Sequence, residues 1–342
     1  MEAKKQRLTE LDALRGIAAL AVVFCHFFTY CRHCGRTSID FQWGSYGPHL
    51  FFILSGFVIL MTLQRCGKGS EFAFSRFTRL YPLYWMAVLI SASLVNLWHP
   101  QGYSATVPQI IANLTMLQTW LNVADIEVSY WTLGVELKFY LLMFILLCFK
   151  QTRRIELLCI VWLVAILGYR LADQLIGLPG VLATPLILDY AHLFIAGMMF
   201  FRIKNSGSNL LRHSLILIAL PMALLAEGTE TMLFTALFIG AFYLFINGRL
   251  GWIANRQLVF LGSISYALYL VHGSIGAVMI AWLNSYAMPV WVMLLFPLFV
   301  SIVVSWILTR HFEQPAIASL RTWFKGDGRQ VAPSAKGLPE SA

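Results

Sequence analysis

The chain has 342 residues, 59% of them hydrophobic and only 12% charged, against roughly 25% charged in a soluble domain. Too little charge remains to cover a soluble surface, which excludes a soluble globular enzyme, a disordered chain and a fibrous repeat. The excess of 25 Lys+Arg over 16 Asp+Glu gives a net charge of +9, which in a membrane chain belongs to basic cytoplasmic loops rather than to nucleic-acid binding.

A membrane-crossing helix needs about 20 mostly apolar residues. With Pro, Gly and charge clusters as breaks, ten candidate spans follow in order: 12–30, 48–64, 80–98, 130–149, 155–171, 184–201, 212–226, 230–247, 261–283 and 290–309. The seventh and eighth are short and are parted only by Glu227, Gly228 and Thr229. The predicted class is all-α, a polytopic transmembrane bundle of about ten spans. One transmembrane domain over 1–325 and a disordered cytoplasmic tail over 326–342 are expected. No small-residue cleavage site follows the first apolar run, so no signal peptide is expected.

Charge sets the orientation. With the N-terminus inside, 20 of the 25 basic residues fall in inner loops and the tail, and 3 (Arg32, Arg36, Arg170) fall outside. Arg15 and Lys138 lie inside spans. The bias predicts cytoplasmic N- and C-termini in a multi-pass protein of the inner membrane. Merging the seventh and eighth spans would weaken it, which supports ten. The longest outer loop, 99–129, carries a semi-apolar stretch Val107–Trp120 suited to the interface. Cys31, His33 and Cys34 face outward; the cysteines are open to oxidation there, but no second ligand pair completes a zinc site, and no metal is expected.

Ionisable residues inside a span are costly and therefore functional candidates. Here they are Arg15, His26, Glu136, Lys138 and His272. Arg15 and His26 are 11 residues apart on the first span, nearly three turns, so they project from one face about 16 Å apart along the axis. Taken singly, an arginine snorkelling to headgroups and a histidine satisfied in the core suffice. Together they suit a substrate with an anionic head and a reactive end, with arginine clamping phosphate and histidine as general base. Arg76 and Arg79, at i and i+3, form a second phosphate-sized pair if helical, although positive-inside anchoring alone explains them.

Glu136 lies about a turn into the fourth span, with Thr132 and Tyr140 at i−4 and i+4 on its stripe. It would orient an acceptor hydroxyl, partner a histidine, or serve as a structural carboxylate. His272 lies mid-span, either lining a cavity or hydrogen-bonding between helices. Asp189 and His192 stand at i and i+3, placed to orient one another. Cys25 beside His26 does not share its face and reads as core.

The run Leu11-Asp12-Ala13-Leu14-Arg15-Gly16-Ile17-Ala18-Ala19-Leu20, with His26 downstream, resembles the opening of acyltransferase family 3, membrane acyltransferases that modify bacterial surface glycans. Four more stretches are similar to the family in the same order: Leu50 to Phe57, Arg76-Phe77-Thr78-Arg79-Leu80-Tyr81-Pro82, Tyr130 to Tyr140, and the run ending at His272. Glu313-Gln314-Pro315 resembles its closing motif. Thr132 replaces the usual Ser and keeps the hydroxyl, whereas His49 stands where an acidic residue is common. The esterase-like extracytoplasmic domain of some members is not seen.

The resemblance implies an acyl-CoA donor, most simply acetyl-CoA, and O-acylation of a surface polysaccharide or lipid-linked saccharide. In that scheme His26 and Glu136 are catalytic, Arg15, Arg76 and Arg79 hold CoA, and Thr132, Tyr140 and His272 contact substrate. Direct transfer and an acyl-histidine carrier both remain open. The competing class is a transporter or flippase using the same intramembrane charges; the absence of matched Gly/Pro interruptions in the two halves weighs against it.

Overall fold

A computed structural model describes residues 8–177 and 186–326. Among the described residues the chain is helical, without strands. The helices are α1 (Thr9–His33), α2 (Gly47–Leu63), α3 (Gly69–Trp98), α4 (Val107–Leu114), α5 (Tyr130–Cys148), α6 (Ile155–Ile176), α7 (Ala191–Ser206), α8 (Leu210–Leu217), α9 (Ala219–Glu227), α10 (Thr229–Ile246), α11 (Arg256–Ser285), α12 (Val290–Leu308) and α13 (Gln314–Gly326). All-helical architecture follows from the solvent, since an apolar medium leaves backbone groups no partners outside their own segment.

Nine helical segments among the described residues are long and apolar enough to cross a membrane. They match nine of the ten expected spans. The exception is the sixth, expected at 184–201. Its first two residues lie outside the described ones, and α7 begins only at Ala191 and runs 16 residues. That is about 24 Å, short of a hydrocarbon core of roughly 30 Å. Ile187 takes a left-handed conformation, φ 54°, which stops the helix from starting earlier. The seventh and eighth spans are separate: Gly228, φ 97°, parts α9 from α10, a conformation that glycine alone adopts readily. The expected tail lies outside the described residues from 327 onward.

The apolar surface is a membrane surface. On α6, Leu157, Val161, Val164 and Leu171 are exposed at helical spacing, a stripe that water would penalise. Within the long outer loop, α4 opens with a reciprocal cap in which Thr106 and Gln109 each accept from the other's backbone N–H.

The described residues form two compact units. The first draws on the described residues within Met1–Gln42, Ala73–Tyr130 and Asn255–Ala342. Its centre is the pairing of α1 with α11. Gly16 and Gly262 let the two backbones touch: a Cβ on Gly16 would stand 2.6 Å from the Leu258 carbonyl, and one on Gly262 would run into the Asp12 carbonyl. Small residues at a crossing are the usual means of close approach between membrane helices. The second unit draws on Trp43–Phe72 and Trp131–Ala254. There α2 crosses α7 through Gly56 and Gly197, whose added Cβ atoms would collide with the Phe194 and Ile53 carbonyls.

Candidate active site

The close α1–α11 crossing carries its consequence farther along the same pair. His26 on α1 meets His272 on α11, with Nδ1 of the first 2.8 Å from Nε2 of the second. The rings are parallel to within 4°, so a ring N–H lies in the plane of its partner's lone pair. His272 is fully buried.

The surrounding carbonyls decide the tautomers. His272 Nδ1 lies 3.0 Å from the carbonyls of Leu268 and of Tyr269. A carbonyl only accepts, so this nitrogen carries the proton, and in the neutral ring Nε2 holds the lone pair. His26 Nδ1–H must then be the donor to His272 Nε2. His26 Nε2 is left as the unprotonated nitrogen, with no hydrogen-bond partner among the described residues. One imidazole thus orients another and aims its basic nitrogen away from the pair, the arrangement of a histidine prepared to take a proton.

Arg15, on the same helix, lies 3.7 Å from Asp12 one turn earlier. Arg76 and Arg79 are helical, as their i, i+3 spacing requires for a shared face, because α3 starts well before the expected residue 80. Arg76 donates to Ser75 Oγ at 3.0 Å. Arg79 donates to Glu313, which is 3% exposed and sits on a π-helical turn, Thr309–Glu313, between α12 and α13. The Arg79 guanidinium also lies 5.2 Å from the Tyr266 ring centroid, and Arg321 of α13 stands within electrostatic range of both arginines. These groups sum to three cations and one anion, a local excess of positive charge suited to phosphate.

The second unit holds Thr132, Glu136 and Tyr140. Glu136 Oε1 accepts from the hydroxyls of Tyr140 and of Ser55, each at 2.5 Å. The i, i+4 stripe therefore joins Tyr140 to Glu136 as expected, while Thr132, 5% exposed, lies on the same helix. Ser55 escaped the sequence reasoning, although it stands inside the family-like stretch Leu50 to Phe57. Gly56 beside it seats α2 on α7.

One expectation is corrected. Asp189 does not orient His192. It accepts from Arg170 at 2.5 Å, and neither ring nitrogen of the buried His192 finds a hydrogen-bond partner among the described residues. The i, i+3 argument fails because α7 begins after Asp189, at Ala191. His49 lies 3.0 Å from Glu227. Cys31 and Cys34 are free thiols.

The family model described as "Acyltransferase domain" matches residues 8–310. The chain belongs to this acyltransferase family. Among its relatives is "Acyltransferase MdmB" of Streptomyces mycarofaciens, 31% identical over 40% of this chain and 38% of its own length. The "Exopolysaccharide production protein ExoZ" of Rhizobium meliloti (strain 1021) is 27% identical over 69% of this chain and 78% of its own. A Staphylococcus aureus (strain COL) protein named "Putative O-acetyltransferase SACOL0978" is 25% identical over 83% of this chain and 52% of its own. The chain thus spans about two fifths and about half of the lengths of the first and third. No solved structure gives a significant match.

Proposed function

We propose that the chain is an integral-membrane O-acyltransferase that moves an acyl group, most simply acetyl, from acyl-CoA to a hydroxyl of a surface saccharide or its lipid-linked precursor. The observation that carries this is the His26–His272 pair, whose tautomers leave His26 Nε2 as an available base. Family membership supplies acyl transfer as the reaction class, and the role in exopolysaccharide production named for the Rhizobium relative favours a saccharide acceptor.

In this scheme Arg76 and Arg79, with Arg15, hold the CoA phosphates on the cytoplasmic side of the inner membrane. The acyl-pantetheine arm runs along α1 toward His26, over an axial distance of about 16 Å. His26 Nε2 takes the proton of the acceptor hydroxyl as its oxygen attacks the thioester carbonyl. The C–S bond then breaks, and the departing thiolate receives that proton back from Nε2, so the base is regenerated and free CoA leaves. His272 stabilises the transient imidazolium by accepting the Nδ1–H of His26. Glu136, which orders the Ser55 and Tyr140 hydroxyls within the second unit, is the other residue assigned a role in the reaction. No metal enters the scheme.

The test compares surface glycans by mass spectrometry from cells lacking the chain and complemented with wild type or His26→Ala. Wild type restores an acyl mass to the glycan and the variant does not. Full restoration by His26→Ala would overturn the assignment.

A further inference from the structure

Glu127 stands out in the first unit because the transfer scheme does not use it. It lies in the segment before α5, is 1% exposed, and burial pushes its carboxyl up to about 7 despite hydrogen bonds that hold it down. Burying such a group is costly, and its contacts show where that cost is offset. The backbone N–H of Ser274 donates to both carboxylate oxygens, at 3.1 and 3.0 Å, and the Gly273 N–H donates to it as well. The Ser274 hydroxyl donates to Oε2 at 2.6 Å, and Ser91 Oγ lies 3.2 Å from the same oxygen.

The next residues contact the turn just before. Ser129 Oγ donates to the Tyr269 carbonyl at 2.9 Å, and Tyr130 OH donates to the Leu270 carbonyl at 3.3 Å. In an uninterrupted α-helix, those two carbonyls are the acceptors for the N–H groups of Gly273 and Ser274. Segment 127–130 therefore engages both sides of the same two ladder positions, and they are the positions that bracket His272. The Tyr269 carbonyl also receives the His272 Nδ1–H. The approach is close enough that a Cβ on Gly273 would collide with Glu127 Oε1.

We propose that Glu127, with Ser129 and Tyr130, is a positioning residue for the transfer reaction: it clasps the turn of α11 bearing His272, and so fixes the imidazole that orients His26. The inference rests on the assignment of His26 as base. Glu127 touches neither the imidazoles nor substrate; it acts through the backbone of residues 273 and 274.

The experiment uses the full chain in membranes of a strain lacking its own copy, with acetyl-CoA as probe. CoA release is measured above vector membranes and normalised to quantified protein. In Glu127→Leu, kcat falls at least about tenfold, as for a reacting group displaced by a fraction of an ångström, while KM for acetyl-CoA stays within about twofold. Glu127→Gln keeps an acceptor for the two N–H groups and recovers most of the rate. A merely structural role would lower the amount of folded protein and leave kcat per folded molecule intact. Wild-type kcat in Glu127→Leu, or a loss expressed as raised KM, overturns the proposal, as does a Gln variant no better than Leu. Should Glu127→Leu fail to accumulate, Ser129→Ala carries the test: kcat falls several-fold at unchanged KM, and an unchanged kcat overturns the proposal. His26→Ala is assayed alongside. If it retains activity, the base assignment fails; if it is inactive while the Glu127 variants match wild type, only the positioning role fails.

Discussion

Gly16→Ala tests how the α1–α11 crossing governs the histidine pair. The added Cβ would stand 2.6 Å from the Leu258 carbonyl and 2.9 Å from the Gly262 nitrogen. Both are backbone atoms and cannot rotate away. Ordinary contact begins at 3.4 Å, so α1 must withdraw from α11 by about 0.8 Å, the difference between 3.4 and 2.6. Carried along α1 as a rigid body, that shift lengthens the His26–His272 hydrogen bond from 2.8 to about 3.6 Å, beyond the range of an N–H hydrogen bond. Pivoting about the far end of α1 would reduce the shift at His26. Overpacking of this kind costs about 1–3 kcal/mol, and an ångström of misplacement costs up to about 10²-fold in rate. The expected result is a ten- to hundred-fold fall in CoA release from acetyl-CoA per molecule of protein. Gly240→Ala is the control, since a Cβ there meets nothing within 4 Å, and its rate stays at the wild-type level. Wild-type turnover in Gly16→Ala would refute the coupling of the crossing to the pair.

Glu136→Gln replaces an acceptor of two hydroxyls at 2.5 Å with a group that accepts at one atom and donates at the other; turnover falls at least about tenfold with KM for acetyl-CoA unchanged, by steady-state kinetics. Arg76→Ala raises that KM about tenfold with kcat retained, while Arg79→Ala also lowers the melting temperature because it strips the buried Glu313 of its counter-ion. Glu127 supplies a pH signature. Its carboxyl is raised to about 7 from 4.5 by burial, and the titratable groups facing it are Tyr30, Tyr103 and Tyr130. Folded protein therefore holds a proton that unfolded protein releases between pH 4.5 and 7, so this contribution to stability is fully present below 4.5 and is lost as pH rises to 7. Over 2.5 pH units it amounts to about 3 kcal/mol. Melting temperature measured against pH should show this slope in wild type and not in Glu127→Gln.

The fold was legible where the membrane acts on the sequence locally. Apolar runs located nine segments of spanning length, and Gly228 marked the break that kept α9 and α10 apart. The sixth span was misplaced because the turn before it depends on Ile187, a β-branched residue in a left-handed conformation that no periodicity announces. One relation along a single helix was readable: the hydrogen bond of Tyr140 to Glu136 follows from 3.6 residues per turn. The partnership of His26 with His272 spans 246 positions, and no local pattern encodes it. Ser55 and Glu127 were missed for the same reason, since their meaning lies in what a distant helix brings to them. Glu127 left one trace, a carboxylate three residues before a span in a loop longer than a connection requires.

The central claim is that His26 Nε2 is the base of an acyl-CoA-dependent transfer, and the most direct measurement is turnover of acetyl-CoA in membranes carrying His26→Ala against wild type at equal protein. Loss of about 10²–10⁴-fold, the usual contribution of a general base, is expected. Turnover within a few-fold of wild type would contradict it.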